Sequence, residues 1–127
     1  MCGGYNPLKD MYKTKVYSVC HWYNAVHGDK IPQNIITKKP TAELRPNQTD
    51  QDNLPPYDIL DAILERLIER DLSPQEIIAE GFGAETVDKV AKLVKIAQYK
   101  RAKSAPGPKI TTRAFARERR YPIANGY

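Results

Sequence analysis

Pro55-Pro56-Tyr57-Asp58-Ile59-Leu60-Asp61-Ala62-Ile63-Leu64-Glu65-Arg66-Leu67-Ile68-Glu69-Arg70-Asp71-Leu72-Ser73-Pro74-Gln75-Glu76 holds a complete helix, its stop and the start of the next. Leu60, Ile63, Leu64, Leu67 and Ile68 recur at three- and four-residue spacing, which lays one apolar stripe along a helix of about residues 57–70. Asp61, Glu65 and Glu69 fall elsewhere on its surface and read as a solvated or partner-facing side. Ser73-Pro74-Gln75-Glu76 is a capping box with proline at the first helical position, so a short helix begins at 74, and Gly81 stops it.

Downstream, Val87, Val90, Leu93, Val94 and Ala97 predict a further helix from Glu85 to Ala102. Pro106-Gly107-Pro108 then breaks the chain, and the tail from Lys109 to Tyr127 has no period, with Lys109-Ile110-Thr111-Thr112 a weak strand candidate. Upstream, Gly3-Gly4 is a turn or a close backbone approach. Asn6 as N-cap and Pro7 open a first helix that Gly28 ends near residue 27, with Tyr12, Val16, Val19, Cys20 and Tyr23 facing a partner. Between the first two helices lies a polar stretch, Ile35 to Tyr57, stiffened by Pro40, Pro46, Pro55 and Pro56 and without the glycine and serine of a flexible linker. Loops of that length act as lids or binding loops when they are not plain connectors. Lys38, Lys39 and Thr41 within it offer two cations and a hydroxyl, which suit a phosphate or a metal-bound phosphate. The expected architecture is mainly α, about four helices with a long proline-rich loop, reading as the later part of a larger α/β domain whose sheet lies upstream.

The 127 residues hold one domain at most, and a composition 41% hydrophobic and 28% charged excludes global disorder. No apolar run approaches the ~20 residues that span a bilayer, and no signal-peptide pattern opens the chain. Cys2 and Cys20 form neither a CxxC pair nor a disulfide framework, which fits a reducing, cytoplasmic setting. The net charge of +5 is segregated. Residues 43–88 carry three arginines against twelve acids, whereas residues 95–127 carry nine lysines or arginines against Glu118. A basic tail behind an acidic middle implies self-complementary packing or a phosphate-ligand site, with nucleic acid a weaker reading because the tail lacks interleaved aromatics.

Cys20, His21 and His27 do not share a helix face at metal-ligand spacing and read as a core thiol and surface imidazoles. No Ser-His-Asp or Cys-His arrangement, GxxxxGK[ST] or GxGxxG loop is present, and no catalytic residue is assigned. Two features remain: Lys38-Lys39-Pro40-Thr41-Ala42-Glu43-Leu44 at a loop bend, and Tyr99-Lys100-Arg101 ahead of Ser104-Ala105-Pro106-Gly107. The dipole of a helix C-terminus is itself a sufficient reason for Lys100 and Arg101.

These segments carry a resemblance. Gly3-Gly4-Tyr5-Asn6-Pro7-Leu8-Lys9-Asp10, Ile31-Pro32, Pro40-Thr41-Ala42-Glu43-Leu44-Arg45-Pro46, Asp50-Gln51-Asp52 and Leu54-Pro55-Pro56-Tyr57-Asp58-Ile59-Leu60-Asp61 resemble glutamine-dependent NAD synthetase. So do Tyr99-Lys100-Arg101, Ala105-Pro106-Gly107-Pro108-Lys109-Ile110 and Arg119-Arg120-Tyr121-Pro122-Ile123, which match its bacterial branch. The resemblance implies that residues 1–127 are the C-terminal portion of the synthetase domain, α/β by descent from an adenine-nucleotide α-hydrolase-like parallel-sheet domain. It implies a ligase that activates deamido-NAD with ATP as an acyl-adenylate, which glutamine-derived ammonia converts to NAD. It further implies that Lys13 binds ATP, that Thr41 meets ATP phosphate and Mg2+, that Lys100 binds deamido-NAD, and that residues 43–56 close over substrate. Fixed cations offset the charge that develops on a pyrophosphate leaving group, and a closing loop keeps water off the adenylate.

The departures are equally definite. The family's Ser-Gly-Gly-x-Asp-Ser pyrophosphate loop and the glutaminase domain with its nucleophilic cysteine are absent from this sequence. The expectation is a fragment begun at an internal methionine, inactive alone, that assembles as a homo-oligomer or with the missing N-terminal half. The alternative is a complementation subunit whose apolar stripes dock on a separately encoded half.

Overall fold

The computed structural model describes residues 3–40, 54–115 and 117–123, and six helices make up the regular structure among them. These are α1 (Lys13–His27), α2 (Gln33–Thr37), α3 (Tyr57–Ile68), α4 (Pro74–Ala79), α5 (Ala84–Ile96) and α6 (Gln98–Lys103). No strand occurs among the described residues, so the chain is mainly α there, and the strand candidate at 109–112 is corrected to irregular backbone.

The core is the stripe read from the sequence. Leu60, Ile63, Leu67 and Ile68 of α3 meet Ile77 of α4 and Val87, Val90 and Val94 of α5, with Leu64, Leu72, Phe82, Phe115 and Tyr121 closing its margin. Ile63, Ile68, Ile77, Val87 and Val90 are fully buried. Burying each such side chain contributes about 1.5–3 kcal/mol against the entropy of ordering it. The capping box forms as expected: the Glu76 N–H donates to Ser73 Oγ at 3.3 Å and the Ser73 N–H donates to Glu76 Oε2 at 2.7 Å. Gly81 adopts φ +101°, a conformation that favours glycine, and ends α4. Arg66 and Arg70 of the α3 end both reach Glu80, at 2.5 and 2.7 Å, tying α3 to α4.

Four further expectations are corrected. Asn6 and Pro7 open a turn rather than a helix: Asn6 Oδ1 accepts from the Leu8 N–H at 3.2 Å, and Tyr12 is extended at φ −64°, ψ 151° before α1 begins at Lys13. The reason is that the side chains of Lys9 and Asp10 are held by the far end of the chain. Asp61 is not a surface acid. It is buried at 8% exposure, and its Oδ2 accepts from the Thr14 N–H at 2.7 Å. Since α1 has no side-chain cap of its own, an acid from α3 caps it across 47 residues of sequence. The helix expected over 85–102 is broken at Ala97, φ −77°, ψ 2°, where the Arg101 guanidinium turns back onto the Val94 carbonyl. Residues Ile35 to Thr37, read as loop, lie in α2 with Ile36 buried.

The apolar set on α1 is largely unburied. Val16 and Cys20 are half-buried, whereas Val19, Trp22, Tyr23 and Val26 are exposed. No helix among the described residues is long and apolar enough to cross a membrane.

Candidate functional site

The two ends of the described chain are joined by a clasp. The Asn6 N–H donates to the Pro106 carbonyl at 2.8 Å, and Lys9 Nζ donates to the Ser104 and Ala105 carbonyls at 3.1 and 2.8 Å. Asp10, 5% exposed, is the centre. Its Oδ2 accepts from the Ile110 N–H (2.9 Å), the Thr111 N–H (2.9 Å) and the Thr111 hydroxyl (2.7 Å), and its Oδ1 accepts from the Phe115 N–H (2.9 Å). Burial raises the affinity of this carboxylate for a proton, but those donors outweigh it and hold Asp10 below the ordinary carboxylate range. Gly107 is the point of closest approach: a Cβ there would sit 2.3 Å from the Asn6 carbonyl oxygen and 2.9 Å from Lys9 Cβ.

The tail is latched to α3 as well. Glu69 Oε2 accepts from the Thr112 N–H and hydroxyl at 3.0 and 2.6 Å. Asp71 pairs with Arg113 at 2.9 Å and with Arg119. Tyr12 lies beside this latch, and burial together with the negative charge of Glu69, Glu65 and Asp10 pushes its phenol far above its usual range. It stays neutral and hydrogen-bonded to Glu69. The acidic middle and the basic tail thus do pack on each other.

Two of the three site residues implied by the resemblance lie among the described residues. Lys13 is the first residue of α1, half-buried, with Nζ 5.4 Å from the Tyr17 ring centroid and 6.0 Å from that of Tyr57. Aromatic faces attract an ammonium without supplying a counter-charge. Lys100 is exposed in the last turn of α6, where the helix dipole favours a cation. Neither lysine makes an ion pair among the described residues. Thr41 lies outside the described residues, as do residues 43–53 of the proposed closing loop. No three His, Cys, Asp or Glu side chains converge on one point among the described residues, so magnesium stays attached to Thr41 as an expectation.

Arg101, next to Lys100, is a residue whose role sequence reasoning missed. Its guanidinium donates to the Val94 carbonyl and to Gln98 Oε1 (2.9 Å) and stacks 4.8 Å over the Phe115 ring. It thereby ties the bend between α5 and α6, and so the position of Lys100, to the tail. Asp10, Asp61 and Gly107 were equally missed as structural centres. The signal available was weak: Asp10 and Gly107 lie in the two terminal motifs, but nothing in one motif specifies the other as its partner.

Two clefts open beside the clasp. One, of about 340 Å³, is bordered by Asp10, Tyr12, Glu65, Glu69 and Thr111, where Tyr12 is hydrogen-bonded to Glu69 and Thr111 donates to Asp10. The other, of about 410 Å³, is bordered by Lys9, Arg101, Ser104, Arg117, Arg120 and Tyr121. Lys13 and Lys100 line neither. What the described arrangement offers chemically is fixed positive charge without a nucleophile–base pair, which suits anion binding rather than covalent catalysis.

Comparison with known proteins bears on the family. A family model described as NAD synthase matches residues 1–104. The chain is similar to the glutamine-dependent NAD(+) synthetase of Xanthomonas campestris pv. campestris (strain 8004), with 56% identity over 128 residues covering 100% of this chain and 23% of that protein. It is similar to the Rhodobacter capsulatus protein of the same name at 56% identity over 133 residues, covering 98% of this chain and 24% of that one. A solved structure of glutamine-dependent NAD+ synthetase from Acinetobacter baumannii, in complex with adenosine diphosphate, superposes with a TM-score of 0.55 at 46% identity, covering 93% of this chain and 20% of that chain. The chain therefore spans about a quarter of the length of these curated relatives.

Proposed function

The chain belongs to the NAD synthase family, and from that premise we propose that it supplies the ATP-facing and deamido-NAD-facing cations of a glutamine-dependent NAD synthetase. The observation that carries the reading is that Lys13 and Lys100 are both held by helix ends and both lack a counter-charge among the described residues. In the reaction proposed, the carboxylate of deamido-NAD attacks the α-phosphorus of ATP, releasing pyrophosphate and forming an acyl-adenylate. Ammonia then displaces AMP to leave the amide of NAD. Lys13 holds ATP, Thr41 meets its phosphate and the accompanying Mg2+, and Lys100 holds deamido-NAD. Glutamine hydrolysis in a separate domain supplies the ammonia, the setting is the cytoplasm, and the parallel sheet of the α/β domain is contributed from outside these residues.

The isolated 127-residue chain is expected to make no NAD, because its sequence holds no glycine-rich phosphate loop. A second reading, a subunit that completes a separately encoded half, is favoured by the exposed Val19, Trp22, Tyr23 and Val26 of α1, which offer an apolar surface for such a half or for another copy. The test is steady-state kinetics of the Rhodobacter capsulatus relative with the counterparts of Lys13 and Lys100 changed singly to alanine. The first substitution raises KM for ATP and the second KM for deamido-NAD. Variants that leave both KM values unchanged refute the assignment.

A further inference from the structure

Two sets of cations near the tail and the α3–α4 junction differ in their partners. Arg66, Arg70, Lys109, Arg113 and Arg119 each meet a carboxylate, on Glu80, Glu118 or Asp71. The four that border the 410 Å³ cleft meet none among the described residues. Lys9 donates only to the carbonyls of Ser104 and Ala105. Arg120 Nε donates to the Arg117 carbonyl at 3.0 Å, and the Arg117 side chain has no partner among the described residues. Arg101 donates to a carbonyl and an amide oxygen while its Nε is buried with no partner among the described residues. No carboxylate of the described residues lines the cleft.

Four cations sharing one concavity repel one another, more strongly at low ionic strength than in salt. Burial lowers the affinity of Arg101 for its proton, and the nearby Tyr121 oxygen acts in the opposite direction. An uncompensated arrangement of that kind is relieved by an anion that brings several acceptor oxygens at once, and guanidinium groups match phosphate oxygens in pairs. The volume far exceeds the roughly 30 Å³ of a water molecule and accommodates more than one phosphate group. Ser104 and Tyr121 add polar groups at the rim.

We propose that the cleft between the clasp and the tail, bordered by Lys9, Arg101, Arg117 and Arg120, binds a compact phosphate-type oxyanion of diphosphate size. The site is separate from the assignment of Lys13 and Lys100, neither of which borders it.

The test is isothermal titration calorimetry of the 127-residue chain with inorganic pyrophosphate, and separately with inorganic phosphate, at low ionic strength. Pyrophosphate binds one per chain, more tightly than phosphate, and weakens as salt is added. The double variant Arg117→Gln/Arg120→Gln, both exposed and neither in the core, raises Kd for pyrophosphate by about tenfold or more. The charge-matched control Lys89→Gln/Lys92→Gln, on the exposed face of α5, leaves it unchanged. Absence of saturable binding at millimolar anion overturns the proposal, as does equal weakening by both double variants. Binding abolished by Lys13→Ala/Lys100→Ala but not by Arg117→Gln/Arg120→Gln also overturns it, and places the anion on the residues of the proposed enzymatic site.

Discussion

Replacing Asp10 by alanine removes an acceptor from four donors at once: the N–H groups of Ile110, Thr111 and Phe115 and the Thr111 hydroxyl. A hydrogen bond to a charged group contributes about 1.5–3 kcal/mol net, and a donor left buried without one costs a similar amount. The sum exceeds what the tail can sustain locally, so the tail opens before the core does. The α3–α5 core retains its own contacts among Ile63, Ile68, Ile77, Val87 and Val90. Hydrogen exchange followed residue by residue is the assay. Amides of Ile110, Thr111 and Phe115 exchange about a hundredfold faster in Asp10→Ala, while those of α3 and α5 change little. Asp10→Asn is milder, near tenfold, because its amide oxygen can serve the three donors at Oδ2 while its NH₂ group faces the Phe115 N–H. The pH dependence has a defined sign. The carboxyl of Asp10 is held below its ordinary value of 3.8, so its contribution is complete above that pH and is lost as pH falls below it. Glu118, also depressed, through the Lys109 ammonium and then the Ala114 N–H, acts in the same direction. Asp10→Asn therefore removes only part of the acid sensitivity. Exchange at Ile110, Thr111 and Phe115 in Asp10→Ala within twofold of the parent would refute the clasp.

Gly107→Ala drives a methyl group into the Asn6 carbonyl oxygen and Lys9 Cβ, and the backbone contact cannot yield as a flexible side chain would. The expected cost is about 1–3 kcal/mol, read as a lower urea midpoint and faster exchange at the Asn6 amide. Asp61→Ala strips α1 of the acceptor at Thr14, so circular dichroism shows fraying of the first turn and stability falls by about 1–2 kcal/mol. An Asp61→Ala protein with unchanged helicity and unfolding midpoint refutes the long-range cap.

The parts of the fold that were legible in the sequence are those whose partners lie within a few residues. The α3 stripe follows from a period of 3.6, and the Ser73–Glu76 box is closed within three positions. The start of α1 and the break at Ala97 were not legible, because each depends on a side chain arriving from elsewhere. Asp61 reaches Thr14 from 47 positions away, and the bend holding Arg101 is completed by Phe115. An isolated aspartate in an amphipathic pattern reads as solvated unless its donor is known, which is why Asp61 was placed on the surface. The candidate site divides the same way. Lys100 and Lys13 were found by resemblance rather than by spacing, Thr41 lies outside the described residues, and the cleft cations come from segments about a hundred residues apart.

The separation of Asp10 from its donors also orders events in time. Helices α3, α4 and α5 are neighbours in sequence and can assemble as soon as they exist, whereas the acceptor at position 10 waits for donors 100 to 105 residues later. At about 5–20 residues per second of synthesis, that wait is about 5–20 s, long against the microseconds in which a helix forms. Throughout it the Asp10 carboxylate has water in place of these donors, so the clasp closes only after the residues of the α3–α5 core have all been made.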